Sequence, residues 1–416
     1  MSNFHDALET RDPAAREAAL MAALPEQIAH AQQHTAAYAS ILAGVNATDV
    51  NSRAALARLP VTRKHELLER QKAARAAGGD AFGGFSALVR GPGMSRIFAS
   101  PGPIYEPEGA GKDYWRSARA LYAAGFRAGE LVHNSFSYHM TPGAFILEAG
   151  ALALGCTVFP AGTGQTEQQL EAIRELQPTA YTGTPSFLRI LLEKAAETGV
   201  KLSITKASVG GEACPPSLTA WFKAQGVDVY QTYATADLGL IAYETPARQG
   251  LLLEEGVIVE IVRPGTGDPV PEGEVGELVV TTLNPGYPLI RFGTGDLSAI
   301  LPGTCPTGRT ASRIKGWMGR ADQTTKVRGM FVHPGQVAEV LRRFPDAKKA
   351  RLVVSGEMAN DQMCLRVETT QAGDGLRDGL AQAVRDVTKL RSDIELVALG
   401  SLPNDGKVIE DARKYD

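Results

Sequence analysis

The spacing of apolar positions changes period several times along the chain, and each change marks an element. Residues 12–43 are alanine-rich with leucines at helical spacing, and the pattern predicts two surface helices interrupted near Pro25. Leu59-Pro60-Val61 runs into Thr62, which is placed to cap a following helix. Residues 78–93 are glycine-rich without a period and read as a loop. Residues 96–100 (RIFAS) form a short strand pattern that Pro101-Gly102-Pro103 stops.

From Asp113 helix and strand alternate. Helices are expected over 114–124, 140–154, 166–176 and 185–197, and strands over 131–136, 156–160 and 180–182. This rhythm predicts a parallel sheet covered on both faces, with ligands at the carboxyl ends of its strands. Tyr138, His139 and Thr182-Gly183-Thr184 fall at such ends. Residues 251–282 are rich in Val, Ile and Glu between turns at Gly265-Thr266-Gly267-Asp268 and Glu272-Gly273-Glu274, which reads as an antiparallel, barrel-like β unit. After Gly319 come strands (326–332, 351–354, 364–368, 394–397) and helices (335–344, 376–390) of a small α+β domain. The expected fold is α/β. A large N-terminal domain, 1–318, carries parallel sheets flanked by helices plus the barrel-like unit, and a small C-terminal domain covers 319–416.

Composition narrows the function classes. At 44% hydrophobic, 21% charged and net charge −3 over 416 residues, the chain lacks the basic excess of a nucleic-acid binder. Cys156, Cys214, Cys305 and Cys364 are scattered without a CxxC pair, which implies no disulfide framework and suits a reducing cytoplasm. The N-terminus is polar, without a signal-peptide pattern. The most apolar stretch, 144–160, contains Glu148 and glycines, so it reads as buried helix and strand and not as a membrane span. A cytoplasmic protein without membrane or nucleic-acid partners is expected.

The chemistry concentrates between residues 288 and 334. Pro288-Leu289-Ile290 leads directly into Arg291, Thr294, Gly295 and Asp296. A carboxylate at the end of an apolar segment is placed to accept two hydrogen bonds from a vicinal diol such as a ribose. Gly319-Arg320-Ala321-Asp322 is a polar turn that reads as a joint between domains. YPLIRFGTGDL at 287–297, LPG at 301–303, GRAD at 319–322 and RGMFVHP at 328–334 occur in order. Together they resemble the adenylate-forming (acyl-CoA synthetase) superfamily, in its phenylacetate-CoA ligase-like branch.

Three further segments fall in register with that resemblance. ASPGPIYEPEG at 99–109 stands where the family carries a phosphate loop. Ser100 and Gly102 are kept, Pro101 and Pro103 replace hydroxyl residues, and the loop lysine is absent, with Glu106 and Glu108 nearby. Strand, small-residue loop and helix is how backbone N–H groups are aimed at an anion, and proline has none to give. Contact with ATP phosphates and a rigid structural turn both stay open here. ASVGGEA at 207–213 resembles the strand whose end lies against adenine, a simple tight turn being the alternative. Tyr233-Ala234-Thr235-Ala236-Asp237 resembles the motif that packs on adenine, touches the α-phosphate and binds magnesium. Asp237 keeps the carboxylate on a shorter side chain, or else caps a helix before Leu238-Gly239-Leu240.

The resemblance implies an ATP-dependent acid–thiol ligase. It would activate a carboxylic acid, aromatic and phenylacetate-like, as acyl-adenylate and pass it to coenzyme A, using ATP, Mg2+ and coenzyme A. Lys407, in LPNDGKV at 402–408, would act with Arg320 and Asp322, the small domain being a mobile lid that pivots at Asp322. Ser100, Gly102, Gly210, Gly211, Glu212, Tyr233, Ala234, Thr235, Asp296 and Arg291 would hold the nucleotide. Tyr138, His139, Gly143, Thr182 and Tyr233 would line the acyl pocket, and Asp237 would hold the metal. CPTGR at 305–309 has Thr307 where some relatives have a zinc-binding cysteine, so no zinc is expected. The altered loop equally fits a protein that binds nucleotide or acyl-adenylate with little turnover, and the acceptor could be a protein carrier. A homodimer is left open.

Overall fold

The computed structural model describes residues 3–321, 323, 325–328, 330–356, 361–371 and 373–413. Two compact units emerge: Met1–Val259 with Val280–Thr294 and Leu301–Trp317, and Glu260–Val279 with Gly295–Ile300 and Met318–Asp416. The second unit thus includes two segments that precede the turn at residue 319.

A nine-stranded sheet runs in spatial order Ile300–Leu301, Arg313–Ile314, Leu251–Leu253, Gly239–Glu244, Asp228–Thr235, Lys206–Val209, Ala180–Gly183, Leu131–Asn134, Thr157–Pro160. The last five are mutually parallel, and Asp228–Thr235 turns antiparallel to Gly239–Glu244. Burial on both faces is the rule for parallel strands, and Val132, His133, Asn134, Ala180, Tyr181 and Thr182 are all buried. One face packs Tyr181, Ala207 and Val209 against Leu170, Ile173, Leu188 and Leu191 of helices Thr166–Leu176 and Pro185–Glu197. The other packs Val132 and Ala180 against Leu121, Ile146 and Leu147 of Ala118–Ala123 and Gly143–Ala153. The expected alternation of helix and strand therefore yields the expected covered sheet. Of the barrel-like stretch, Leu251–Leu253 joins this sheet, while Val257–Val262 and Gly276–Thr282 stand in a four-stranded sheet with Phe292–Ser298 and Thr62–Arg63.

Within the second unit, Asp393–Val397, Gln362–Thr369, Ala347–Ser355 and Ile409–Asp411 form another four-stranded sheet. Its apolar residues Leu352, Val354, Leu365 and Val367 share a core with Val337 and Val340 of Pro334–Arg342 and Leu380 and Val384 of Asp374–Thr388. No helix among the described residues is long and apolar enough to cross a membrane.

Three local expectations are corrected. The first helix, Pro13–His34, runs through Pro25, and the break comes at Thr35, whose hydroxyl caps Ala36–Ile41 by accepting from Tyr38 N. A mid-helix proline costs about 3 kcal/mol, and full burial of Leu24 and Ile28 beside it offsets that. Thr62 caps nothing: it pairs as a strand with Phe292, and the helix Lys64–Ala76 starts after Arg63, whose N–H donates to Glu66. Finally, Met94–Ser100 is followed by the antiparallel strand Ile104–Gly109, so residues 101–103 turn a hairpin and lead into no helix.

Candidate active site

Four parallel strands end side by side, and the segments leaving them carry the expected nucleotide and acyl residues. Gly210 is buried where an added Cβ would lie 2.9 Å from Thr232 O and Oγ1, an approach that only glycine permits. Gly211 follows at φ +77, and its missing Cβ would sit 3.8 Å from Phe136 and 3.9 Å from Thr184. Gly143, first residue of its helix, faces Phe136 at 3.9 Å in the same sense. Phe136 thus lies between Gly143 and Gly211. Thr182 is buried beside this edge with its Oγ1 unpartnered.

Other expected residues are engaged differently. Tyr138 donates its hydroxyl to Glu148 Oε2 at 2.5 Å and accepts from Asn134 at 2.8 Å. Burial, then Glu148, pushes that hydroxyl well above the usual tyrosine range. His139 is exposed, and Glu212, also exposed, accepts from Ser186 Oγ at 2.8 Å. Arg291 is a correction. It is 1% exposed, and its guanidinium donates to the carbonyls of Ala57 and Leu59, so it builds the interior and reaches no nucleotide.

Tyr233, Ala234 and Thr235 close the strand Asp228–Thr235, with a bulge between Tyr233 and Ala234. Residues 236–238 then turn into the next strand, so Asp237 is no helix cap: no helix follows it. Thr235 Oγ1 accepts from Leu238 N at 3.1 Å and fixes the turn. Gly239, at φ +72, is required because a Cβ there would meet the Trp115 ring at 2.8 Å.

Asp237 is 3% exposed and holds Lys64 Nζ 2.9 Å from its Oδ2, while its Oδ1 has no partner. Glu106, completely buried on the hairpin, accepts from Ser100 Oγ at 2.5 Å through Oε1, and its Oε2 has no partner either. Burial first, and the charge of Asp237 second, push the Glu106 carboxyl up to about 8, against the pull of Ser100 and Lys64. The Tyr287 hydroxyl, buried and unpartnered, is raised well above its ordinary value by burial and then by Asp237 and Glu106. These oxygens are hard donors and suit magnesium, which is held in proteins by one or two carboxylates. Sequence reasoning found Asp237 and noted Glu106 only as a departure. It gave no role to Lys64, the last residue of the family-like segment Leu59-Pro60-Val61-Thr62-Arg63-Lys64, nor to Tyr287, which opens the 287–297 motif.

In the second unit, Asp296 Oδ1 accepts from Arg320 Nη1 at 2.8 Å, across an isolated bridge between the two residues. Gly295, at φ +72, admits the guanidinium, since a Cβ would lie 2.6 Å from Arg320 Nη2. Lys407 is exposed on a loop tied down on either side. Gln323 donates to Gly406 O at 2.9 Å, and Asn404 Oδ1 accepts from Val275 N at 3.2 Å. Gly406 packs against Leu297, the neighbour of Asp296, with 3.1 Å left for a Cβ. Asp322 lies outside the described residues.

Comparison with known proteins gives a consistent picture. Residues 116–285 match the family of AMP-binding enzymes. The phenylacetate-coenzyme A ligase of Thermus thermophilus is 32% identical over 369 residues, 84% of this chain and 80% of that enzyme. The same enzyme of Aromatoleum evansii is 32% identical over 78% of this chain and 74% of its own length. Among solved structures, 2-hydroxyisobutyryl-CoA ligase with 2-HIB-AMP and CoA superposes at TM-score 0.72 and 25% identity, over 97% of this chain and 92% of that one.

Proposed function

The chain belongs to the adenylate-forming AMP-binding enzymes, in the phenylacetate-CoA ligase branch, and on that premise we propose that it is an AMP-forming acyl-CoA ligase for an aromatic acid. The observation that carries this reading is the meeting of Gly210, Gly211, Tyr233 and Asp237 at the carboxyl edge of adjacent parallel strands, where ligands of such sheets bind.

In the first half-reaction the acid's carboxylate oxygen attacks the α-phosphorus of ATP. The bond to the bridging oxygen breaks and pyrophosphate leaves. Gly210 and Gly211 leave room for the flat adenine, and Tyr233 packs on it. Asp296 holds the ribose, with the half-exposed Arg320 beside it. Lys407 stabilises the charge that develops on the phosphate. Asp237, with an unpartnered buried oxygen, would hold magnesium, which neutralises phosphate charge when bound. In the second half-reaction the coenzyme A sulfur attacks the acyl carbonyl and AMP leaves.

The acid lies against Phe136, Thr184, Gly143 and Thr182, an aromatic and small-residue lining that suits a planar aryl group. A panel of aryl and alkyl acids, scored by hydroxylamine trapping of the acyl-adenylate, tests this. Phenylacetate-like acids should turn over at least tenfold faster than acetate, about the discrimination a few methylenes of apolar contact supply. Equal rates for acetate and phenylacetate would remove the aromatic preference, and no trapping with any acid would remove the ligase reading.

A further inference from the structure

Among the described residues, two serine or threonine hydroxyls are buried without a hydrogen-bond partner, Thr182 Oγ1 and Ser208 Oγ. Their residues are 1% and 0% exposed. They are also neighbours, because Thr182 and Ser208 are register partners on the parallel strands Ala180–Gly183 and Lys206–Val209. Side chains in register point to the same face, on strands about 4.8 Å apart. Burying a hydroxyl without a partner is unfavourable, so two of them side by side mark a place that receives a polar group. The face they share is the one on which Val132 and Ala180 pack against Leu121, Ile146 and Leu147. Thr182 stands two residues beyond Ala180, one side-chain layer nearer the carboxyl edge of the sheet. On its other side the register partner is Asn134. The Asn134 amide donates to Ala144 O at 3.0 Å and to the Tyr138 hydroxyl at 2.8 Å, and its Oδ1 accepts from Phe136 N at 3.2 Å. The segment that carries Phe136 and Gly143 is thereby tied to the row Asn134, Thr182, Ser208. Asn134 is spent on that segment, which leaves the two hydroxyls as the row's available hydrogen-bonding groups.

We propose that Ser208 is a specificity-determining residue: with Thr182 it forms a polar floor to the acyl pocket, and the two hydroxyls receive a hydroxyl group on the ring of an aryl acid. Each of them can donate and accept, so a phenolic O–H donates to one and accepts from the other. The sequence suggests Thr182 for the acyl pocket and gives Ser208 no role, since one strand carries no sign of its neighbour's register. A site built to hydrogen-bond a substrate hydroxyl discriminates strongly against the analogue that lacks it, because its own buried groups are then left unpaired. A purely apolar floor has no such means of telling the two acids apart. The inference rests on the ligase reading and narrows its substrate class from aryl acids to ring-hydroxylated ones.

Hydroxylamine trapping of the acyl-adenylate, with phenylacetate set against its ortho-, meta- and para-hydroxy derivatives, tests it. At least one hydroxylated isomer should exceed phenylacetate in kcat/KM by roughly tenfold or more. Thr182→Val and Ser208→Ala should each erase that preference. Both substitutions keep the shape of the side chain and remove a hydroxyl that has no partner in the protein, so Tm of the free enzyme should not fall. Hydroxyls that serve only the sheet would behave otherwise: the variants would lose Tm, lower kcat/KM for both acids alike and leave their ratio as in the wild type, which overturns the assignment. Trapping of phenylacetate at a rate equal to or above that of every hydroxylated isomer removes the polar floor and leaves the ligase reading standing. No trapping with any acid removes the ligase reading, and this inference with it.

Discussion

Gly406 has φ +71, and a Cβ there would lie 2.7 Å from Val275 and 3.1 Å from Leu297. Both facts exclude any other residue next to Lys407 without local displacement. Gly406→Ala should therefore destabilise the protein by about 1–3 kcal/mol, measurable by denaturant unfolding, and should lower adenylate formation by moving the lysine. Phe136 gives a prediction of a different kind, because it is partly buried against the core around Leu121, Ile146 and Leu147 and also borders Gly143 and Gly211. Phe136→Ala should lower stability by about 1–3 kcal/mol and, in protein that remains folded, raise KM for an aryl acid roughly tenfold, in line with the loss of a few methylenes of apolar contact, while acetate kinetics stay level. At this scale the motifs located residues well but could not tell buried from accessible. Arg291 and Asp296 share one motif, yet the arginine is 1% exposed and serves two backbone carbonyls, while the aspartate remains partly open. Side-chain direction depends on a partner far along the chain, here Ala57 and Leu59, and no local pattern encodes it.

The elements were most legible where period and burial agree. Helices Thr166–Leu176 and Pro185–Glu197 have the bounds expected from their periodicity, because each has one apolar face over a covered sheet. The hairpin Met94–Gly109 was not legible: its second strand, IYEPEG, has a proline and two glutamates and no alternation that would mark a strand. Its burial comes from neighbours in the first unit, Gln71 among them, which bonds both N–H and C=O of Tyr105. The strand Leu131–Asn134 yields a test of the sheet interior. His133 donates Nε2–H to Gln169 Oε1 at 2.7 Å and stacks with Phe159 and Tyr181. Burial lowers its folded pKa below the usual 6.5, against the raising effect of Gln169. The unfolded chain therefore binds a proton that the folded one refuses, and stability falls as pH drops from about 6.5 toward the folded value. His133→Asn should be less stable at pH 7.5 by about 1–3 kcal/mol. Its Tm should fall less steeply than the wild type between pH 7 and 5.5, and equal slopes would show that His133 is not the titrating group.

At the level of the whole molecule the chain does not divide at one point. The second unit draws on Glu260–Val279 and Gly295–Ile300 as well as the C-terminal part, so Asp296, Arg320 and Lys407 belong to the same compact body. Neither composition nor period changes at those borders, since the strands Val257–Val262, Gly276–Thr282 and Phe292–Ser298 run straight through them. This grouping sharpens what Lys407 can be asked to do. It is exposed, its backbone N–H is held by Asp405 Oδ1 at 3.0 Å, and its loop is fixed by Gln323 and Asn404 and not by its own ammonium. Lys407→Ala should therefore fold with wild-type Tm, and any kinetic effect will be chemical. If the ammonium meets charge only while adenylate forms, it contributes to one half-reaction. Pyrophosphate exchange should drop about 10²–10³-fold, the loss typical of removing one preorganised donor from a developing charge. Thioester formation from supplied acyl-adenylate and coenzyme A, in which that phosphate already leaves as AMP, should change little. An equal fall in both half-reactions would mean that the lysine binds AMP throughout and does not act selectively in the first step. Unaltered exchange would remove it from the chemistry.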